Sequence, residues 1–221
     1  MIVMDSRRIS DEIAERTGIC LPDTKLVAEA IEKAYANGSP MLFNHVMRSA
    51  LFAHAFTDQR PNSEDRELII VSAVLHDLGL AEHRCPGIER FEIRSANLAR
   101  DFAVERGMAG DRAWLLWDII ALHPYDFNLH KEDEAWAVQM GILADVVGAG
   151  IDLIDPAVVA RIVACYPRLN FKSGFYRLLA SEAATSPPPP CHPVTMIRYH
   201  ELGEYDVPNA RDLIAGAPFD D

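Results

Sequence analysis

The chain has 221 residues, of which 49% are hydrophobic and 24% are charged, and its formal net charge is −12. A chain of this size can bury one substantial core. Its acidic balance argues against a duplex nucleic-acid binder, because that class gains affinity from Lys and Arg at the phosphates. We find neither a secretory signal nor the roughly 18 uninterrupted apolar residues of a membrane span. We therefore expect a cytoplasmic protein without nucleic-acid or membrane partners.

Helix signals follow one another along the chain, separated by short polar breaks. The first three predicted helices cover about residues 10–16, 22–36 and 40–59. Ser63-Glu64 is typical of the N-terminal cap of a fourth, whose run LIIVSAVL is apolar on every side and would suit a central helix or a buried strand. Further helices are predicted over about residues 88–106, 111–122, 132–150, 156–165 and 171–185. Because no series of alternating strands occurs, the sequence predicts an all-α fold.

A proline-rich break follows the last predicted helix. Residues 186–190 read SPPPP, and consecutive prolines favour an extended polyproline conformation. The residues beyond them include Tyr199, Tyr205, Ile214 and Phe219, which makes the segment too apolar for a free tail. We expect residues 186–221 to pack back on an all-helical domain formed by residues 1–185, and not to form a second domain. A contact with a partner is the alternative.

Three apolar segments carry side chains of the kinds that bind metals. They read FNHVMRSA, VLHDLG and LADVVG, and they supply His45, the pair His76-Asp77, and Asp145. Asp145 lies one helical turn after Ile142, on the predicted core face of its helix. A buried carboxylate is costly without a partner, and two imidazoles with two carboxylates suit a divalent transition metal. We therefore predict one metal ion held by these four residues.

The metal hypothesis depends on the combination of residues more than on any one of them. A core histidine satisfied by a hydrogen bond is the commoner role for His45 alone, and a single His-Asp pair is weak evidence. Successive helical positions point about 100° apart, so His76 and Asp77 can reach one ion only near a helix end, which Leu78-Gly79 would provide. These ligand types are compatible with Zn, Fe, Mn, Ni or Co.

The order His, His-Asp, Asp resembles the ligand motif of the HD-domain superfamily of metal-dependent hydrolases. The residues that carry it here are His45, His76, Asp77 and Asp145. The resemblance implies an HD-domain helical bundle with its metal-binding core over about residues 41–150. It also implies that Asp77 can accept a proton from the water that the metal activates.

Much of the chain resembles one branch of this superfamily, the cyanamide-hydratase-like branch. Its likeness includes the segment RFEIRSANLARDFAVERG at residues 90–107. That branch also shows an Asn-His pair on its first ligand helix, like Asn44-His45, and a Pro-Phe-Asp element like residues 218–220. The resemblance runs from about residue 41 to residue 221.

Two further residues are candidates for catalysis. Glu92 shares a helical face with Ala96 and Ala99, at a place where two-metal members of the superfamily have a His. The Glu argues against a second metal and predicts either acid–base catalysis or a hydrogen bond to a metal ligand, with a helix-dipole contact as the structural alternative. His123 ends its helix just before Pro124. The resemblance implies that this His approaches the site as a second-metal ligand or a substrate contact, and stabilisation of the helix end is equally compatible.

Asn44 and Arg48 lie beside His45 on the same predicted helix and are candidate substrate contacts. Arg48 is three residues from His45, so the two share a side of the helix. It could hold an anionic substrate or pair with a buried carboxylate, and the salt bridge is the favoured role. The role of Asn44 is implied by the resemblance.

The function that we predict is a metal-dependent hydrolase or hydratase, in which metal-bound hydroxide adds to a nitrile- or amide-like carbon of a small molecule. Two aspartates beside a divalent ion would leave the site near neutral, which suits an uncharged substrate. The alternatives are a nucleotide phosphohydrolase with Arg48 at the phosphate, an iron-dependent oxygenase, and a non-catalytic ligand-binding module. The sequence leaves open the metal, the substrate and the formation of a homo-oligomer.

Overall fold

A computed structural model of the protein describes residues 6–59, 65–81, 89–185 and 209–221. Within these ranges the regular elements are all helical, so the predicted all-α fold is confirmed. The helices are α1 (Ser6–Thr17), α2 (Lys25–Asn37), α3 (Pro40–Phe56), α4 (Arg66–Leu75), α5 (Leu78–Ala81), α6 (Phe91–Val104), α7 (Gly110–Leu122), α8 (Asp133–Val147), α9 (Pro156–Cys165), α10 (Phe171–Ala183) and α11 (Ala210–Ala215). Short 3-10 turns cover Thr57–Gln59, Phe127–His130 and Ile151–Leu153.

Helix α4 is the centre of the bundle. Its residues from Leu68 to Leu75 are each at most 1% exposed. It is surrounded by α2, α3, α6, α7 and α8, which explains why the run LIIVSAVL is apolar on every side. The side chain of Asp65 caps its first turn by accepting a hydrogen bond from the Leu68 amide at 3.0 Å. The predicted cap at residues 63–64 lies outside the described residues. Because α4 is central, the residues that directly follow it also lie in the interior.

Several helix boundaries differ from the predictions for local reasons. Helix α2 begins at Lys25, because the Thr24 side chain accepts from the Val27 amide and makes Thr24 the cap. Helix α8 ends at Val147, since Gly148 adopts a left-handed conformation with φ 77°. Helix α5 was not predicted, and it is too short to produce a recognisable hydrophobic period.

Helices α3 and α8 approach each other closely, and Gly141 allows that approach. A Cβ atom at Gly141 would collide with the Ser49 carbonyl oxygen and would lie 2.7 Å from the Ala53 Cβ. The contact between α3 and α8 is the most extensive in the bundle. It sets the distance between His45 on α3 and Asp145 on α8.

We expect Gly141→Ala to lower the free energy of unfolding by about 1–3 kcal/mol, because the added methyl group meets main-chain atoms that cannot rotate away. Urea denaturation measures this change. Gly110→Ala is the matched control, because a Cβ there meets nothing within 4 Å and the position opens a helix, so its stability should be unchanged or slightly higher. Equal free energies of unfolding for the two variants would contradict a tight contact between α3 and α8 at Gly141.

The described part of the C-terminal extension packs on the bundle. Helix α11 contacts α10 and α8, and Ile214 and Ala217 are 3% and 4% exposed. The Phe219 ring lies 6.2 Å from the Phe52 ring of α3. The SPPPP run lies outside the described residues, and the domain boundary after residue 185 stays a prediction. Among the helices described, none has both the length and the apolar character needed to cross a membrane.

Candidate metal centre

Three predicted ligand residues meet where α4 ends. His76 and Asp77 form the turn between α4 and α5, and His45 comes from the middle of α3. The Asp77 Oδ2 atom lies 3.4 Å from the Nε2 atom of His45 and 3.4 Å from that of His76. One ligand atom from each residue falls within 4.8 Å of the other two. All three side chains are at most 1% exposed, so the group is an interior cluster.

Hydrogen bonds fix how the two imidazoles face Asp77. The Nδ1–H group of His45 donates to the Asp145 carboxylate at 2.7 Å, and that of His76 donates to the Ala73 carbonyl oxygen at 2.8 Å. A carbonyl oxygen can only accept, so the His76 Nδ1 atom must carry the proton. Both Nε2 atoms are thereby directed to the same place, as is usual for metal-binding histidines.

The atoms that converge there lack hydrogen-bond partners among the described residues. They are the Nε2 atom of His45 and both carboxylate oxygens of Asp77. Burial raises the pKa of Asp77, but the neighbouring His76 and His45 lower it more, so the carboxylate is ionised at neutral pH. A buried carboxylate without hydrogen bonds is costly. The donor set and the missing partners therefore fit a divalent cation, which would satisfy all of these atoms together.

Asp145 lies behind His45, outside this group of ligand atoms. Its Oδ1 atom accepts from Arg48 Nε at 2.6 Å and from Arg168 Nη1 at 3.0 Å. Its Oδ2 atom accepts from His45 Nδ1 at 2.7 Å and from Arg48 Nη2 at 2.9 Å. Burial raises its pKa, but His45 and Arg48 outweigh that effect and lower it. The predicted fourth ligand thus orients His45 and pairs with two arginines in this structure.

The two candidate substrate contacts are both used to hold the α9–α10 loop. Arg48 is fully buried, and besides Asp145 it donates to the carbonyl oxygens of Tyr166 and Pro167. The Asn44 amide donates to the same Pro167 oxygen at 2.7 Å. These contacts favour the salt-bridge role for Arg48 over a substrate contact, because the side chain is enclosed by protein acceptors. The substrate role of Asn44 stays a prediction.

His123 does approach the cluster. It follows the last residue of α7, its Nδ1–H group donates to the Ile120 carbonyl oxygen at 2.7 Å, and its Nε2 atom lies 3.8 Å from Asp77 Oδ1. Burial, reinforced by the nearby His76, lowers the pKa of His123 to about 4. The Gln139 side chain donates to the His123 carbonyl oxygen at 2.9 Å. His123 therefore presents a neutral imidazole nitrogen to the site.

Glu92 is buried in the first turn of α6, where it pairs with an arginine. Its Oε1 atom lies 3.0 Å from Arg90 Nε, and Arg90 also donates to the Tyr125 hydroxyl at 2.6 Å. Burial is the main reason that the pKa of Glu92 is raised. No described contact joins Glu92 to the three ligand residues, so its catalytic role stays a prediction.

The sequence interpretation missed three residues that shape the centre. Phe171 and Phe175 pack on the His45 ring, with centroid distances of 4.8 and 5.1 Å. Their spacing of one helical turn could have indicated a shared face. Arg168 contacts Asp145 from a loop, where no periodic pattern would have revealed it.

Comparison with known proteins agrees with the arrangement of these residues. Residues 42–149 match the model of the family described as HD domain. No curated protein matches the chain. The matched range includes His45, His76, Asp77 and Asp145, which supports the superfamily that the ligand motif predicts. Residues 42–149 are thus similar to an HD domain, the family whose ligand motif the sequence resembles.

Proposed function

We propose that the protein is a metal-dependent hydrolase or hydratase of a small molecule, with one divalent ion bound by His45, His76 and Asp77. The observation that carries this proposal is that buried ligand atoms, which lack partners in the described part of the chain, converge on one point. Three protein ligands leave coordination positions open for water, as catalytic metal sites do. The bound ion would lower the pKa of that water toward neutrality and so supply hydroxide for attack.

The surrounding side chains would move protons and position the substrate. Asp77 has one oxygen 3.8 Å from His123 Nε2, so both atoms could accept from the same water molecule or substrate group. Burial raises the pKa of Glu92, which moves the carboxyl group toward the range in which it can exchange a proton. We assign Asp77, His123 and Glu92 to catalysis on these grounds.

A nitrile- or amide-like carbon is the substrate group that we propose for attack. Support comes from the resemblance of residues 90–107 to the cyanamide-hydratase-like branch. Burial of Arg48 against Asp145 supports the same choice, because it removes the arginine that a phosphate would need.

A nucleotide phosphohydrolase is the second candidate, and the charge of the centre favours it. Arg48 and Arg168 already balance Asp145, so only Asp77 would offset the charge of a divalent ion. The site would then carry a net positive charge instead of the near-neutral one expected from two aspartate ligands. A positive centre attracts a phosphate group.

A substrate panel on metal-loaded protein separates the two candidates. Cyanamide and simple amides test hydration and hydrolysis through the urea or ammonia released, and nucleoside monophosphates test phosphate release. The chelator-treated preparation is the control for metal dependence. We expect turnover of the first group only. Phosphate release would favour the second candidate, and oxygen consumption with iron would favour an oxygenase.

We expect Glu92→Gln to lower turnover by roughly 10²–10⁴-fold, because the amide keeps the shape of the side chain but cannot transfer a proton. Metal content should stay at the wild-type level, since Glu92 pairs with Arg90 and not with the ligand group. Glu105→Gln, at an exposed position beyond the other end of α6, is the matched control and should change neither quantity. Unchanged turnover in Glu92→Gln would make the residue structural, and lost metal would make it a ligand.

A further inference from the structure

Arg168 is an unusual residue, because a loop arginine lies fully buried beside the candidate metal centre. Its side chain is 0% exposed. Its Nη1 atom donates to the Asp145 carboxylate at 3.0 Å and to the Asp145 carbonyl oxygen at 3.1 Å. Arg168 thus binds both the side chain and the main chain of the residue that orients His45.

Residues 217–221, which we name the clasp, hold the other side of Arg168. The Asp221 carboxylate accepts from Arg168 Nε at 3.4 Å. The guanidinium group lies 4.7 Å from the ring centroids of both Phe171 and Phe219. Asp221 also accepts from the Lys172 amide at 3.0 Å, in the first turn of α10. The clasp therefore fixes the guanidinium group from the side opposite to Asp145.

The backbone after Arg168 supports the view that its position is constrained. Leu169 and Asn170 both adopt left-handed conformations, with φ 56° and 59°. Side chains other than glycine rarely adopt this conformation, and Leu gains no local hydrogen bond from it. Such a conformation persists only where the surroundings determine it. The contacts of Arg168 and the Asp221 hydrogen bond to Lys172 are those surroundings.

The charges of the buried side chains explain why the contact between Arg168 and Asp145 depends on the contact between Arg168 and Asp221. Asp145 accepts from two buried arginines, Arg48 and Arg168, so it alone cannot balance both charges. Asp221 supplies the second negative charge, against Arg168. Without Asp221 the buried Arg168 would be incompletely neutralised, which is costly in the interior. A shift of Arg168 would then disturb the carboxylate that binds His45 Nδ1.

We propose that Arg168, Phe219 and Asp221 are positioning residues of the metal centre, which act through Asp145 to hold the His45 imidazole with its Nε2 atom facing Asp77. A segment outside the HD-domain match thereby helps to complete the site inside it. The effect on metal affinity rests on the proposed function, whereas the effect on the His45 hydrogen bond does not.

The test compares Asp221→Ala with Asp220→Ala, which removes the same charge from the neighbouring exposed residue. In metal-free protein, NMR follows the His45 Nδ1–H proton and its exchange with solvent. In parallel, competition with a chelator gives the Co²⁺ affinity, and the visible spectrum of the Co²⁺ protein reports the ligand geometry. A temperature scan checks that each variant is folded.

For Asp221→Ala we expect faster exchange of the His45 proton, an altered Co²⁺ spectrum and about tenfold weaker Co²⁺ binding, at the low end for residues that orient metal ligands. Asp220→Ala should match the wild type in all three. Wild-type exchange and affinity in Asp221→Ala would overturn the proposal, as would equal changes in both variants. If Asp221→Ala does not fold, Phe219→Leu replaces it with the same expectations. If wild-type protein binds no Co²⁺, the proposed function fails, while the NMR comparison still decides the positioning role.

Discussion

Asp77→Asn should remove the metal and abolish turnover. The substitution keeps the shape of the side chain but replaces the carboxylate that faces both His45 and His76 with an uncharged amide. Loss of an ion that contributes several kcal/mol to the transition state corresponds to a fall of at least about 10³-fold in turnover. Metal content per chain, measured by mass spectrometry after gel filtration, should drop to background.

The control for Asp77→Asn is the exposed Asp152, in the turn after α8. Asp152→Asn should keep wild-type metal content and turnover. Wild-type metal content in Asp77→Asn would contradict the assignment of Asp77 as a ligand. Metal loss with turnover retained would contradict metal-dependent catalysis.

Asp145→Ala should be the most destabilising of the substitutions considered. It leaves Arg48 and Arg168 buried without their shared carboxylate, and breaking a buried pair in this way costs about 3–5 kcal/mol. It also removes the acceptor of the His45 Nδ1 proton, so metal binding should weaken by about 10–100-fold. Urea denaturation and competition with a chelator measure the two effects.

The size of the affinity change in Asp145→Ala separates two roles for the residue. A 10–100-fold weakening agrees with an orienting role. Metal content at background, equal to that of Asp77→Asn, would instead support the direct ligation that the sequence predicts. A free energy of unfolding within about 0.5 kcal/mol of the wild type, the range of ordinary surface substitutions, would contradict the buried network itself.

Much of the helical bundle could be predicted because its helices carry local signals. Helix α9 begins and ends as predicted, since Asp155 caps it and Pro156 occupies its first position. The run LIIVSAVL is compatible with either a helix or a strand, because a segment that is buried on all sides shows no hydrophobic periodicity. Only its packing among five other helices decides the matter.

The candidate site could be predicted where polar, ligand-type residues stand in segments that are otherwise apolar. His45, His76 and Asp77 are polar side chains in apolar segments, and the structure brings them together. Asp145 gives the same signal, but the sequence could not show which groups its oxygens accept from. That depends on Arg168, whose loop has no periodic pattern, and on the packing of residues 217–221, which brings Asp221 to it.

Anomalous diffraction from crystals of the Co²⁺- or Zn²⁺-loaded protein tests the central claim most directly. We expect one anomalous peak per chain, about 2.0–2.2 Å from the Nε2 atoms of His45 and His76 and from a carboxylate oxygen of Asp77. A peak that lies elsewhere, or a fully loaded protein with no peak at these three residues, would contradict the account.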